Sequence, residues 1–303
     1  AYTVVTAAAT SADANYNGLN PVDVAVSNTD NDAAGITVSP VAGLVTTEAG
    51  GTAQFTVVLN TLPLADVVIG LSSSDATEGT VAPPTLTFTS GNWNVTQTVT
   101  VTGVNDFLDD GNIAYNILTA PAVSGDSNYN GLNPTNVAVS NTDDDAVGIT
   151  VNPVAGLVTT EAAGTAQFTV VLTSQPTANV TIALTSSDLT EGTVAPNNLT
   201  FTAANWNVPR TGTVTGVDDL VVDGPIAYTV VTAPAASADA GYNGLNPADV
   251  TVTNTDNDVA GFTVNPVAGL VTTEAAGTAQ FTVVLTSQPT ASVTIGASSS
   301  DIT

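Results

Sequence analysis

The stretch VNPVAGLVTTEAAGTAQFTVVLTSQPTA, residues 151–178, recurs without change at residues 264–291. Within it Ala166, Phe168, Val170 and Leu172 alternate with Gln167, Thr169, Val171 and Thr173, the period of two that marks a strand with one face in a core. A wider comparison finds GITVSPVAGLVTTEAGGTAQFTVVL at Gly35, GITVNPVAGLVTTEAAGTAQFTVVL at Gly148 and GFTVNPVAGLVTTEAAGTAQFTVVL at Gly261, an interval of 113 residues both times. A unit of that length is a domain rather than a solenoid turn or a propeller blade.

The chain is therefore expected to hold two complete units, 35–147 and 148–260. The last part of one unit (1–34) precedes them and the first part of another (261–303) follows. Ala1-Tyr2 aligns with Ala114-Tyr115 and Ala227-Tyr228, and Asp301 aligns with Asp188 and Asp75, so both ends fall inside units, as expected of a piece of a longer protein. In the unit 148–260, segments 180–184, 199–201, 226–230 and 250–252 repeat the alternation, and 149–151 and Val214 add two more. Separated by Gly, Pro, Asn and Asp, they read as about seven strands of an antiparallel sandwich. The expected fold is all-β, a tandem of immunoglobulin-like seven-stranded sandwiches.

Composition narrows the chemistry. The 303 residues carry 27 acids and one base, Arg210, for a formal charge of -26, with no histidine, cysteine or methionine. Disulfides, thiol nucleophiles, imidazole bases and the usual zinc and haem sites are excluded, and without lysine so is Schiff-base chemistry. Nucleic acid is not an expected partner, because binding a polyanion takes many Lys and Arg. With 43% hydrophobic and 9% charged residues the chain is expected to fold. No apolar run reaches the roughly 18 residues that span a bilayer, so neither membrane insertion nor a leader or anchor is expected within this segment.

The acids of the unit 148–260 are Glu161, Asp188, Glu191, Asp218, Asp219, Asp223, Asp239, Asp249, Asp256 and Asp258, nearly all between predicted strands. Alternate connections of an antiparallel sandwich lie at one end, so four acidic turns are expected to converge. Crowded carboxylates repel unless a cation intervenes, and an all-oxygen donor set selects Ca²⁺. The competing reading is a solvated acidic rim that keeps the protein soluble. DNDAAG, DDDAVG and DNDVAG, which close the units at residues 30, 143 and 256, start like an EF-hand loop but lack its fifth and twelfth ligands.

These residues resemble the Calx-beta domains of sodium-calcium exchangers and of large bacterial surface proteins. The resemblance runs through each whole unit. It rests on the glutamate before a glycine-turn strand (TTEAGGTAQFTVVL), the LTF strand, the TVTVTGVND turn with an acid four residues on, and the terminal DND or DDD. It implies a seven-stranded sandwich with Ca²⁺ at one end, next to the following domain. The ligands it implies are Glu48, Asp106, Asp110, Asp143 and Asp145 in one unit and Glu161, Asp219, Asp223, Asp256 and Asp258 in the next. Asp75 and Asp188 join them as weaker matches, and Asp30 and Asp32 hold the terminal positions of the leading partial unit.

The function expected is structural: a stalk of an adhesin or a subunit of a filament, secreted or anchored at the cell surface and stiffened by Ca²⁺ at junctions between units. Its partners would be neighbouring units and other copies of the chain. A calcium-responsive regulatory module is one alternative. A carbohydrate-binding array is another, with a surface glycan stacked on Trp93 and Trp206, although a Trp packed over the sandwich edge explains both. Tyr16, Tyr129 and Tyr242, in YNGLNP, are expected to anchor loops. Asn94, Asn179 and Asn198 lie in N-x-T sequons. Catalysis is not expected, since only carboxylates are on offer and an active site has little reason to recur every 113 residues.

Overall fold

The computed structural model describes residues 1–301, and its regular structure is all β. Two compact units are present, one of residues 1–105 with 112–142, the other of residues 106–111 with 143 onward. The second holds β1 (Ile149–Asn152), β2 (Leu157–Thr160), β3 (Thr165–Leu172), β4 (Val180–Ser186) and β5 (Gly192–Ala195). It continues with β6 (Asn198–Phe201), β7 (Arg210–Gly216), β8 (Ile226–Thr232), β9 (Ala236–Ser237) and β10 (Val250–Thr255).

One sheet has the order β1-β3-β7-β5, the other β2-β10-β8-β4-β6 with β9 also on β4. Phe168, Val170, Leu172 and Val214 from the first sheet meet Ile182, Leu184, Phe201, Tyr228, Val230 and Val250 from the second in one buried cluster. Phe168, Val170 and Leu172 of β3 and Val180, Ile182 and Leu184 of β4 enter that cluster, because side chains alternate across a sheet and the sequence puts large apolar residues at those positions. The first unit repeats the arrangement, with strands such as Thr52–Leu59, Val67–Ser73 and Gln97–Gly103 around Phe55, Ile69, Phe88, Val99 and Ile117. The chain thus forms all-β, multi-sheet units consistent with tandem β-sandwiches.

Two details differ from the sequence-based expectation. The copy spanning residues 148–260 has ten strands rather than seven, because β2 (LVTT), β5 (GTVA) and β9 (AS) lack the pair of large apolar residues spaced by two that marks the equally short β1 and β6. It is also not wholly antiparallel. Leu157 to Thr160 pair in parallel with Val252 to Thr255. The first strand is split: β1 pairs with β3 in one sheet, then the chain turns at Gly156, φ +80°, and continues as β2 in the other. The left-handed φ suits a residue without Cβ.

Two of the tyrosines, Tyr129 and Tyr242, anchor loops. The Tyr242 hydroxyl accepts from the Ser174 N–H at 3.1 Å and donates to the Ser174 carbonyl at 2.7 Å. Tyr129 makes the same pair of bonds to Thr61. Beside it, buried Asp126 accepts from the Leu64 N–H at 2.8 Å and the Asn128 N–H at 2.9 Å. These bonds, Leu64 first, hold its carboxyl below the usual carboxylate value of 3.8. A lowered folded pKa gives stability that is present above the unfolded value and lost as pH falls through the folded one. Asp126→Ala is therefore expected to lower the melting temperature at pH 7 by several degrees and by much less below pH 3. Equal losses at both pH values in a thermal melt would contradict the assignment.

Candidate cation site

The parallel pairing of β2 with β10 puts both strand ends at one edge, Thr160 opposite Thr255. The residues that follow, Glu161 and Asp256, leave the sheet side by side. Glu161 donates its N–H to the Thr255 carbonyl at 3.2 Å, and its Oε2 accepts from the Asn257 N–H at 3.0 Å. Glu161, Asp256 and Asp258 each offer a carboxylate oxygen within 4.8 Å of the other two. At the same end β7 finishes at Gly216, opposite the start of β5, which brings together Glu191, just before β5, and the loop after β7. Glu191, Asp219 and Asp223 form a second group by the same criterion.

Glu161 is 3% exposed and Glu191 6%. Burial raises both carboxyl groups above their usual value, and neighbouring aspartates add to the effect. Asp258 is raised by burial, then by Asp256, Asp218, Asp219 and Asp223. Asp256 moves the other way, held low by the N–H groups of Asp258 and Gly224 at 2.6 and 2.8 Å. One Asp258 oxygen, Oδ2, is shut off from solvent with no hydrogen-bond donor. The cluster thus holds desolvated carboxylates that lack a positive partner. Arg210, the only basic side chain, starts β7 while the cluster lies past its end, about 20 Å away at the usual rise per residue.

Glu191 is held from behind. Asn254 Nδ2 donates to Glu191 Oε2 at 3.4 Å and to the Val217 carbonyl at 3.1 Å, while Asn254 Oδ1 accepts from Thr159 Oγ1 at 3.0 Å. Neither Glu191 nor its counterpart Glu78 is among the ligands inferred from the sequence. The signal was present, since TEGTVA recurs with its glutamate one 113-residue interval apart.

The other predicted residues fall as follows. In the loops 106–111 and 143–147, Asp143 accepts from the Gly111 and Asp145 N–H groups at 2.7 and 2.8 Å, as Asp256 does from Gly224 and Asp258. Burial and neighbouring aspartates raise Asp110 and Asp145. Glu48 is buried directly after strand Leu44–Thr47, the place Glu161 takes after β2. Asp75 and Asp188 cap their own turns instead, accepting from Thr77 and Thr190, and these bonds lower both carboxyl groups. Asp30 accepts from the Asp32 N–H in an exposed segment. None of Asp30, Asp32, Asp75 or Asp188 belongs to a carboxylate group of this kind among the described residues. Trp93 and Trp206 are half-buried against the two cores.

Comparison with known proteins adds little. The chain matches no protein-family model and no curated protein. Among solved structures it is similar to the calcium binding domain CBD12 of CALX1.1, at 14% identity and a TM-score of 0.36, covering 73% of this chain and 99% of that one. The apo-form Calx CBD1 domain is similar at 16% identity and a TM-score of 0.29, covering 36% and 96%. Domains 4 and 5 of the S-layer protein SbsC are similar at 14% identity and a TM-score of 0.29, covering 62% and 75%. Likenesses at this level carry no weight for function.

Proposed function

We propose that the chain is a stretch of a repeat array in an extracellular fibre, an adhesin stalk or a filament subunit, whose units 35–147 and 148–260 bind Ca²⁺ at their acidic ends. The observation that carries this reading is the Glu161–Asp256–Asp258 group, with Glu161 buried and both aspartates half-buried, an undonated Asp258 oxygen and no basic side chain near it. All donors are carboxylate oxygens, the set that suits a hard divalent cation. Glu161, Asp256 and Asp258 would hold one ion and Glu191, Asp219 and Asp223 another, with Glu48, Glu78, Asp106, Asp110, Asp143 and Asp145 as the counterparts in the preceding unit. The bound ion supplies the positive charge that lets the acidic loops close on one another.

The resemblance to Calx-beta domains and the near-identical repeats support an architectural role. Secretion or surface display fits a chain without cysteine or lysine. No helix among the described residues is long and apolar enough to cross a membrane. The role proposed is not catalytic: the chain has no histidine, cysteine or lysine from which a nucleophile and base could be assembled at this end.

Calcium titration of the full chain tests the reading. A ligand that binds only the folded state at a hundredfold excess over its dissociation constant adds about 2.7 kcal/mol of stability. For units of this size that is a rise of about 10 °C or more in the melting temperature. Small-angle scattering is expected to show a longer, stiffer particle with calcium than with chelator. If neither quantity responds, the acidic ends are a solvated rim and the reading fails.

A further inference from the structure

The loop that supplies Asp219 and Asp223 carries an apolar run between them, Leu220-Val221-Val222, and the loop 106–111 carries Phe107-Leu108 at the same place. Within the second unit both runs meet the chain that follows. The Phe107 carbonyl accepts from the Gln175 N–H at 2.6 Å, and the Phe107 ring lies 5.7 Å from that of Trp206, tilted by 48°. One interval later the Leu220 carbonyl accepts from the Gln288 N–H, also at 2.6 Å, and Val221 bridges to Gln288. There Val222 lines a groove with Phe262, Leu285, Pro289 and Val293.

The receiving corner is rigid for reasons that owe nothing to a cation. Ser174, next to Gln175, is fully buried and tied at its N–H and carbonyl to the Tyr242 hydroxyl. The Trp206 carbonyl accepts from the Leu172 N–H at 3.2 Å, fixing the indole segment to the end of β3. An aromatic pair at this separation and tilt gains energy beyond the area it covers, and the contact takes part of each apolar tip out of water, leaving Phe107 51% and Leu220 59% exposed.

We propose that each acidic loop does two separate things: its carboxylates face the cation, and its apolar tip docks on the following repeat as a latch that holds without any ion, with Trp206 as the receiving surface for Phe107. The proposal rests on the array reading but not on calcium binding. It also ranks the joints. Phe107 forms a ring pair, whereas its counterpart is Leu220, so a Phe-bearing loop grips more tightly than a Leu-bearing one.

The test reads Trp206 alone, in the full chain with Trp93→Phe and excess chelator. Phe107→Ser is expected to shift the Trp206 emission to the red and to raise its quenching by acrylamide about twofold as the indole loses its apolar cover. Phe107→Leu should restore much of the protection, and Leu220→Ser should leave Trp206 unchanged. Unchanged emission and quenching in Phe107→Ser would overturn the latch, as would protection that exists only with calcium. A chain that binds no calcium yet passes the test would keep the latch and lose the cation site.

Discussion

Glu161→Gln is expected to reverse sign with conditions: at neutral pH it should lower the melting temperature in calcium and raise it in chelator. The reason is the environment of Glu161, buried beside Asp256, Asp219 and Asp258, which raises its carboxyl above the usual 4.5. A raised folded pKa contributes stability that is full below the unfolded value and lost as pH rises through the folded one. At pH 7 the ion-free protein therefore holds a charge that it would be more stable without. The amide removes that charge but keeps an oxygen to accept from the Asn257 N–H at 3.0 Å. With calcium the balance inverts, because the neutral amide is a poor ligand for a hard cation. Losing a hundredfold in affinity at one ion would cost about 2.7 kcal/mol of the calcium-dependent gain. Paired melts of wild type and variant check both signs. A variant that is less stable in chelator as well would show that Glu161 serves packing and not a cation.

Gly216→Ala should do the most damage to the second unit. A Cβ at this position would lie inside contact range of the Thr160 carbonyl and against Asn254 Oδ1. Neither can give way cheaply, since Thr160 is paired to Thr255 and Asn254 is bonded to Thr159, Val217 and Glu191. Overpacking against backbone in a well-filled interior costs about 3 kcal/mol. It should also separate the two carboxylate groups, because the Thr160 strand end carries Glu161 while Asn254 orients Glu191. Gly103 meets Thr47 and Asn141 in the same way, so Gly103→Ala should act alike in the preceding copy. Gly91→Ala, whose Cβ would meet only Thr89 Oγ1 at 3.7 Å, should change stability by less than about 0.5 kcal/mol. Denaturant unfolding of the three variants would decide. If Gly216→Ala matched Gly91→Ala, the close approach of β7 to β2 and β10 would be refuted.

The lone-base composition and the alternation at Ala166, Phe168, Val170 and Leu172 were enough to specify half-buried strands and to exclude most catalytic chemistry. A period of two is a direct consequence of strand geometry, and Phe168, Val170 and Leu172 are found in the core, with Ala166 only half-buried at the strand's start. The 113-residue interval likewise carried the repetition of the acids. What the sequence could not express is which strands run side by side. Only the folded chain shows that the first strand divides between two sheets and that β2 lies parallel to β10. That pairing sets Glu161 beside Asp256 although the two are far apart in the chain. Glu191 enters the site for a similar reason, through a hydrogen bond from Asn254 that no local pattern announces. The ring contact of Phe107 with Trp206 is of the same kind. Alternation and composition are local properties and are written residue by residue. Register between distant strands, and the meeting of side chains across it, are settled only when the whole core packs.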